Sequence, residues 1–206
     1  PMNRTTWTSK NGKANLSLGD SIPLLRELPA EFAGAVITDP PYSSGGQSIG
    51  ARSANPSKKY VQSGQAKVWP DFEGDNRDQR SWAYWLHLWI SESKRILQPG
   101  GYFLCFSDWR QVPTLTDAIQ AAGLTWRGIA SWDKGLQARA PHKGYLKHQC
   151  EFIVWATKGP CLRRSDDGPF PGCFSISVKQ TDKWHMTGKP TELLRRLVAI
   201  SPPGGT

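Results

Sequence analysis

A chain of 206 residues can bury one ordinary hydrophobic core without disulfide staples and is too short for two full domains. Its 26 Lys and Arg against 17 Asp and Glu give a formal charge of +9, which favours a polyanionic partner. No window is long and apolar enough for a membrane span, and the polar stretch 1–10 lacks the apolar segment of a signal peptide, so the expectation is a cytosolic protein without membrane contact. Pro1 ahead of Met2 reads as a residue added before the natural start. Ten Trp residues offer flat surfaces for a core or for stacking on bases, and most are expected in the core. Cys105, Cys150, Cys161 and Cys173 have no C-x-x-C spacing. Cys105 and Cys150 fall in apolar strand-like runs where a thiol is a small inert hydrophobe, so neither zinc nor disulfides are expected.

In chain order, 14–18 reads as a short strand, Gly19-Asp20 as a turn, and 21–28 as a helix capped by Ser21 with Pro23 in its first turn. The run 33–38 reads as a buried strand. From Ser43 to Arg80 no period holds, and so long a polar stretch in one domain is either functional or disordered. Trp82, Trp85, Leu86, Trp89, Ile96 and Leu97 recur at three-and-four spacing and predict a helix over 81–97, stopped by Pro99-Gly100-Gly101. A buried strand over 102–106, a helix over 112–122 and strands over 124–132 and 152–156 follow, then a weaker strand over 174–178 and a helix over 190–200. Alternating strands and helices predict an α/β domain with a mostly parallel sheet.

Asp39-Pro40-Pro41-Tyr42 stands directly after the strand over 33–38, where ligands of open parallel sheets bind. An exocyclic base amine is a poor nucleophile because its lone pair is delocalised into the ring. The Asp39 carboxylate and the Pro40 carbonyl can each accept one of its N–H groups and draw the nitrogen toward a tetrahedral geometry. Tyr42 offers a ring on which an extruded base can stack. Two prolines fix φ and remove two N–H groups, so the loop presents carbonyls rigidly. An ordinary strand-ending turn would carry the same prolines.

With these residues the chain resembles the S-adenosylmethionine-dependent amino-methyltransferases that act on adenine N6 or cytosine N4 in DNA. The resemblance also rests on Gly19-Asp20, on the passage Arg95 to Gly101, on Glu151 to Lys158, and on His185 to Pro190 before the last helix. Their order is the β-type permutation, and the polar insertion 43–80 with Lys58, Lys59 and Tyr60 is similar to small phage or prophage members. The resemblance implies a Rossmann-like fold in a single methyltransferase domain over 1–206, in a bacterial cell or a phage-infected host. It implies S-adenosylmethionine as methyl donor and DNA as substrate, with base flipping, direct in-line transfer and no covalent enzyme intermediate. Asp39, Pro40, Pro41 and Tyr42 would form the catalytic loop. Aspartate at its first position fits adenine, where serine would suggest cytosine.

Further roles follow only from the resemblance. Asp20 would meet the cofactor's adenine amino group, with a plain turn residue as the other reading. Thr187, Lys189 and Pro190, with Asp39, would lie beside the methionine end of the cofactor, although a proline-containing helix start looks similar. His185 belongs there or is a surface histidine. Lys134, Arg139, His142, Lys143 and Lys147 in the loop 133–149 suit phosphate contacts beside the pocket, as do Lys58 and Lys59 in the insertion; a solvated loop is the bland alternative. Family members continue past the equivalent of Thr206 into a glycine-rich turn that wraps the cofactor. No G-x-G-x-x-G occurs in this sequence, so the C-terminal cofactor-binding segment is absent from it and the fold is expected to be incomplete there. The 206 residues are therefore expected to be part of a longer protein; a weak or inactive DNA-binding remnant, an N4-cytosine methyltransferase and an RNA base methyltransferase are the rival readings. Target sequence and oligomeric state, a homodimer included, stay open.

Overall fold

The computed structural model describes residues 5–43, 50, 74–136, 138, 142–161, 168–182 and 187–202. Strands β1 (Thr5–Thr8) and β2 (Asn15–Leu18) form an antiparallel hairpin. Only β2 is expected from apolar pattern, yet Asn11-Gly12 is a hairpin signal: Gly12 takes φ 67° and its N–H donates to the Ser9 carbonyl. Helix α1 (Ser21–Glu27) is capped by Asp20 and not by Ser21, the Asp20 carboxylate accepting from the Ile22 N–H at 3.0 Å.

The main sheet contains β3 (Ala33–Thr38), β4 (Leu97–Ser107), β5 (Thr125–Asp133), β6 (Cys150–Thr157) and β7 (Cys173–Ser175), in the order β3-β4-β6-β5-β7. β3, β4, β5 and β7 run one way and β6 runs against them. The sheet is thus mostly parallel in strand direction, as expected. Because β6 lies between β4 and β5, however, two of its four pairings are antiparallel. The cause is the return from β5 to β6 through 134–149, which reverses the chain beside its neighbour instead of crossing over.

Alternation along β4 assigns its side chains to two cores. Phe103 and Cys105 face α2 (Gln79–Ile96) and α3 (Val112–Ala121), with Trp82, Leu86, Trp89, Leu115 and Ile119 buried around them. Tyr102, Leu104 and Phe106 face the other way, against Leu193 and Leu197 of α4 (Thr191–Val198). Full burial of two such leucines contributes about 1.5–3 kcal/mol each and fixes where α4 begins. Asp182, in a short 3-10 turn (Gln180–Asp182), takes the capping role that Pro190 cannot fill, accepting from the Thr191 N–H at 2.7 Å.

Two local devices set the strand ends. Arg95 donates to the Leu28 and Leu25 carbonyls at 2.9 and 2.8 Å, closing the C-terminus of α1 against α2. Gly101 lies so near β3 that a Cβ would stand 3.0 Å from the Gly34 carbonyl oxygen, which explains glycine at this crossing.

Some expectations need correction. Helix α2 starts at Gln79, capped by Asp78, so the tail of the 43–80 stretch is ordered structure. Cys150 is exposed at a strand end, whereas Cys105 is buried. Of the eight Trp residues described, Trp82, Trp89 and Trp132 are buried, Trp85 and Trp155 are partly buried, and Trp7, Trp109 and Trp126 are exposed. Five of the eight thus lie in the core or pack against it, as expected of most, and three do not. Among the described residues no helix is long and apolar enough to cross a membrane.

Candidate active site

The register places the carboxyl ends of β3, β4 and β5 and the start of β6 at one edge of the sheet: Thr38 pairs with Cys105, Ser107 with Phe152, and Asp133 with Cys150. The segments 39–43 and 108–111 leave this edge and, with Lys134, Glu151 and Lys189, build the site.

The Asp39 to Tyr42 loop is held by its carbonyls. The Trp82 indole donates to the Pro41 carbonyl at 2.8 Å, and the Gln111 side chain donates to the Tyr42 carbonyl at 2.7 Å. Ser43 leaves the loop at φ 55°; its N–H is received by the buried Asp75 carboxylate at 2.9 Å, and its hydroxyl donates to the Gly74 carbonyl at 3.0 Å. With Pro41 and Tyr42 so pinned, the Pro40 carbonyl is the one between Asp39 and Tyr42 that accepts no hydrogen bond among the described residues.

Around the loop lies a ring of alternating charge. The Lys189 ammonium, its side chain 5% exposed, is 2.7 Å from Asp39 Oδ2 and 3.4 Å from Glu151 Oε2. Lys134 reaches the other oxygen of Glu151 at 3.2 Å. The Tyr42 hydroxyl sits between the two acids, donating to Asp39 Oδ1 at 2.8 Å, with Glu151 Oε2 at 3.4 Å. A phenol has one proton, so the shorter contact is the bond and the longer one is electrostatic proximity. The Lys189 ammonium also lies 5.4 Å from the Tyr42 ring centre and 5.2 Å from that of Phe106.

The ring fixes protonation. Burial pushes the Glu151 carboxyl up, but Lys189 and Lys134 outweigh it and hold it below its ordinary value. Burial likewise pushes Lys189 down, and Glu151 and Asp39 reverse this, holding it above the usual lysine value. The Tyr42 phenol is raised well above its ordinary value, first by burial and then by the two carboxylates, so it stays a proton donor. Burial and Asp39 raise the Cys105 thiol too, keeping it un-ionised beneath the site.

Of the residues singled out from sequence, Asp39, Pro40, Pro41, Tyr42, Thr187, Lys189 and Pro190 come together: the Thr187 carbonyl accepts from Lys189 at 3.4 Å, and Pro190 opens α4. Asp20 caps α1 and makes none of these contacts among the described residues. Lys134 stands on Glu151 rather than in open solvent, while His142, Lys143 and Lys147 are exposed on the same loop. Lys58, Lys59, Arg139 and His185 lie outside the described residues. Glu151, Trp82 and Gln111 are site residues with no assigned role from sequence. The one sequence signal among them is an acid at the head of the apolar run Phe152 to Ala156.

The donor set can be matched to S-adenosylmethionine at its methionine end. That end is a zwitterion, and the Asp39 carboxylate beside the Lys189 ammonium offers one group of each sign at the start of α4. The residues present fit that end of the cofactor.

Comparison with known proteins finds related methylases. A family model described as DNA methylase matches residues 34–205. The Escherichia coli (strain K12) protein "Putative methylase YubD" is 24% identical over 180 residues, a match covering 87% of this chain and 66% of that protein, so this chain spans just under two thirds of its length. The crystal structure of the M1.HpyAVI–SAM complex superposes with a TM-score of 0.56 at 17% identity, over 89% of this chain and 74% of that one. The PvuII DNA methyltransferase, described as cytosine-N4-specific, gives 0.54 at 16% identity, over 92% and 64%. At such identities the superpositions establish the Rossmann-like methyltransferase fold.

Proposed function

The chain belongs to this DNA methylase family of N6 and N4 amino-methyltransferases, and from that premise we propose that it methylates the N6 amino group of adenine in DNA, with S-adenosylmethionine as methyl donor. The observation that carries the proposal is the pair of acceptors at the end of β3. The Asp39 carboxylate and the Pro40 carbonyl are adjacent, and the next two carbonyls are committed elsewhere. Two N–H groups of one amine need two such acceptors.

Asp39 already receives Tyr42 and Lys189, but a carboxylate has about four lone-pair sites and can accept a further bond. Acceptance by Asp39 and Pro40 draws the nitrogen lone pair out of conjugation, and the carboxylate faces the positive charge that grows on nitrogen as the new bond forms. Bound S-adenosylmethionine supplies the electrophilic methyl group, and Lys189, Thr187, Pro190 and Asp39 are the residues that would hold its methionine end. Tyr42, its phenol tied to Asp39, provides the ring for an extruded base. No protein nucleophile is needed, which agrees with the buried and un-ionised Cys105. Aspartate rather than serine at the head of the loop favours adenine over cytosine.

The test is nucleoside analysis. The natural protein carrying this chain, incubated with labelled S-adenosylmethionine and duplex DNA, is expected to yield N6-methyladenine on digestion. N4-methylcytosine alone would move the assignment to the other branch of the family. Label in RNA but not in DNA would replace the substrate class, and no labelled base in either would overturn the proposal.

A further inference from the structure

The loop between β5 and β6 carries an apolar tip with no counterpart in the mechanism above. Leu146 is 90% exposed and Tyr145 65% exposed. Lys143, Lys147, His142 and His148 surround them, all exposed. The tip is shaped from within: the Tyr145 N–H donates to the His142 carbonyl at 3.3 Å, the His142 ring stands edge-on to Tyr145 at 5.2 Å, and the Lys147 ammonium donates to the Leu136 carbonyl.

Both stems of this loop are anchored at the catalytic edge. On one side Lys134 is bound to Glu151, and the Gly135 N–H donates to Asp133 at 2.8 Å. On the other, the Gln149 side chain donates to the same Asp133 oxygen at 2.8 Å, and His148 stacks on Trp109 with centroids 6.5 Å apart and planes 12° from parallel. Trp109 is itself 54% exposed under the Arg110 guanidinium, and two residues on Gln111 grips the Tyr42 carbonyl. The tip thus neighbours the base-binding loop by way of the His148–Trp109 stack and Gln111.

We propose that Tyr145 and Leu146 form a wedge that enters the DNA duplex and occupies the gap left in the base stack when the target base is extruded. The inference rests on the base-flipping reading given above. An apolar tip flanked by the cations Lys143 and Lys147 suits a partner that is anionic outside and flat and apolar within, which describes a base-paired stack inside its phosphates. Side chains that fill the vacated space oppose return of the base and offset the loss of stacking.

Two duplexes test the wedge, each with 2-aminopurine replacing the target adenine to report extrusion, one with the target base paired and one with it opposite an abasic site. On the paired duplex, the Tyr145→Ala/Leu146→Gly protein is expected to lose about tenfold or more of the wild-type extrusion signal, because unstacking is no longer compensated. On the abasic duplex the loss should be clearly smaller, because the base pair is already absent and only stacking on the target's own strand remains to be offset. Leu146→Met, which keeps an apolar side chain of similar volume, should restore extrusion. Equal loss on both duplexes, or no loss on either, would overturn the wedge. Wild-type extrusion of 2-aminopurine, with no methyl transfer to the matching duplex that carries adenine at the target position, would sink the catalytic reading and leave the wedge standing.

Discussion

Replacing Asp39 with alanine is expected to lower methyl transfer by about 10²- to 10³-fold, the usual effect of deleting one polar group aimed at charge that develops in the transition state. DNA binding should change little. The carboxylate is partly exposed at the end of β3, and its loop is held mainly through backbone carbonyls by Trp82 and Gln111, which the substitution leaves in place. Lys189 keeps Glu151 at 3.4 Å, so its charge is not stranded. Asp39→Asn preserves one acceptor oxygen and should fall between the two. Single-turnover transfer read beside equilibrium DNA binding separates the outcomes. Parallel loss of both would make Asp39 a structural residue, and normal turnover in Asp39→Ala would remove it from the mechanism.

Lys189→Met should act first on stability. Removing one partner from a buried ion pair typically costs about 3–5 kcal/mol, and because Lys134 still faces Glu151 the expected loss here is at or below the lower end of that range, about 2–3 kcal/mol by urea unfolding. The Lys189→Met/Glu151→Leu protein should be less impaired than the sum of its single changes, since the second removes the carboxylate that the first leaves under-compensated. Acid should narrow the gap between wild type and Lys189→Met. Glu151 is held below its ordinary value, so its stabilising share is complete above the unfolded carboxylate pKa of about 4.3 and fades as pH falls through the lower folded value. Lys189 is held above its ordinary value, so its share is complete below about 10.4 and is lost only above the folded value. The difference should therefore be flat through neutrality. A gap that persisted undiminished in strong acid would mean that Lys189 acts by packing alone.

Local signals carried much of this molecule. The run Ala33 to Thr38 coincides with β3, and the loop after it lies at the predicted end of the strand, because an apolar run stopped by two prolines leaves few alternatives. The Trp and Leu spacing marked α2 to within two residues at its start. The β1–β2 hairpin was illegible from apolar pattern because Trp7, Leu16 and Leu18 are exposed and bury no face; only its Asn11-Gly12 turn betrays it. The orientation of β6 was equally hidden, since an apolar strand reads the same in either direction.

At the site, the residue types were readable and their partnerships were not. Asp39 and Lys189 meet across 150 residues of chain, and Tyr42 and Glu151 across 109. No local pattern encodes such pairings. Lys134 shows the consequence: in sequence it is one more cation in a basic loop, whereas in the fold it pairs with the Glu151 carboxylate of the candidate site. Trp109 shows the converse, an aromatic that composition assigns to the core and that the turn after β4 presents to solvent.

A structure of the protein bound to its DNA and to sinefungin, which cannot donate a methyl group, would test the central claim most directly. The expected structure has an adenine rotated out of the duplex, its N6 within hydrogen-bond distance of both the Asp39 carboxylate and the Pro40 carbonyl, and its ring on Tyr42. An adenine left in the stack, or extruded into a site that touches neither Asp39 nor Pro40, would contradict it.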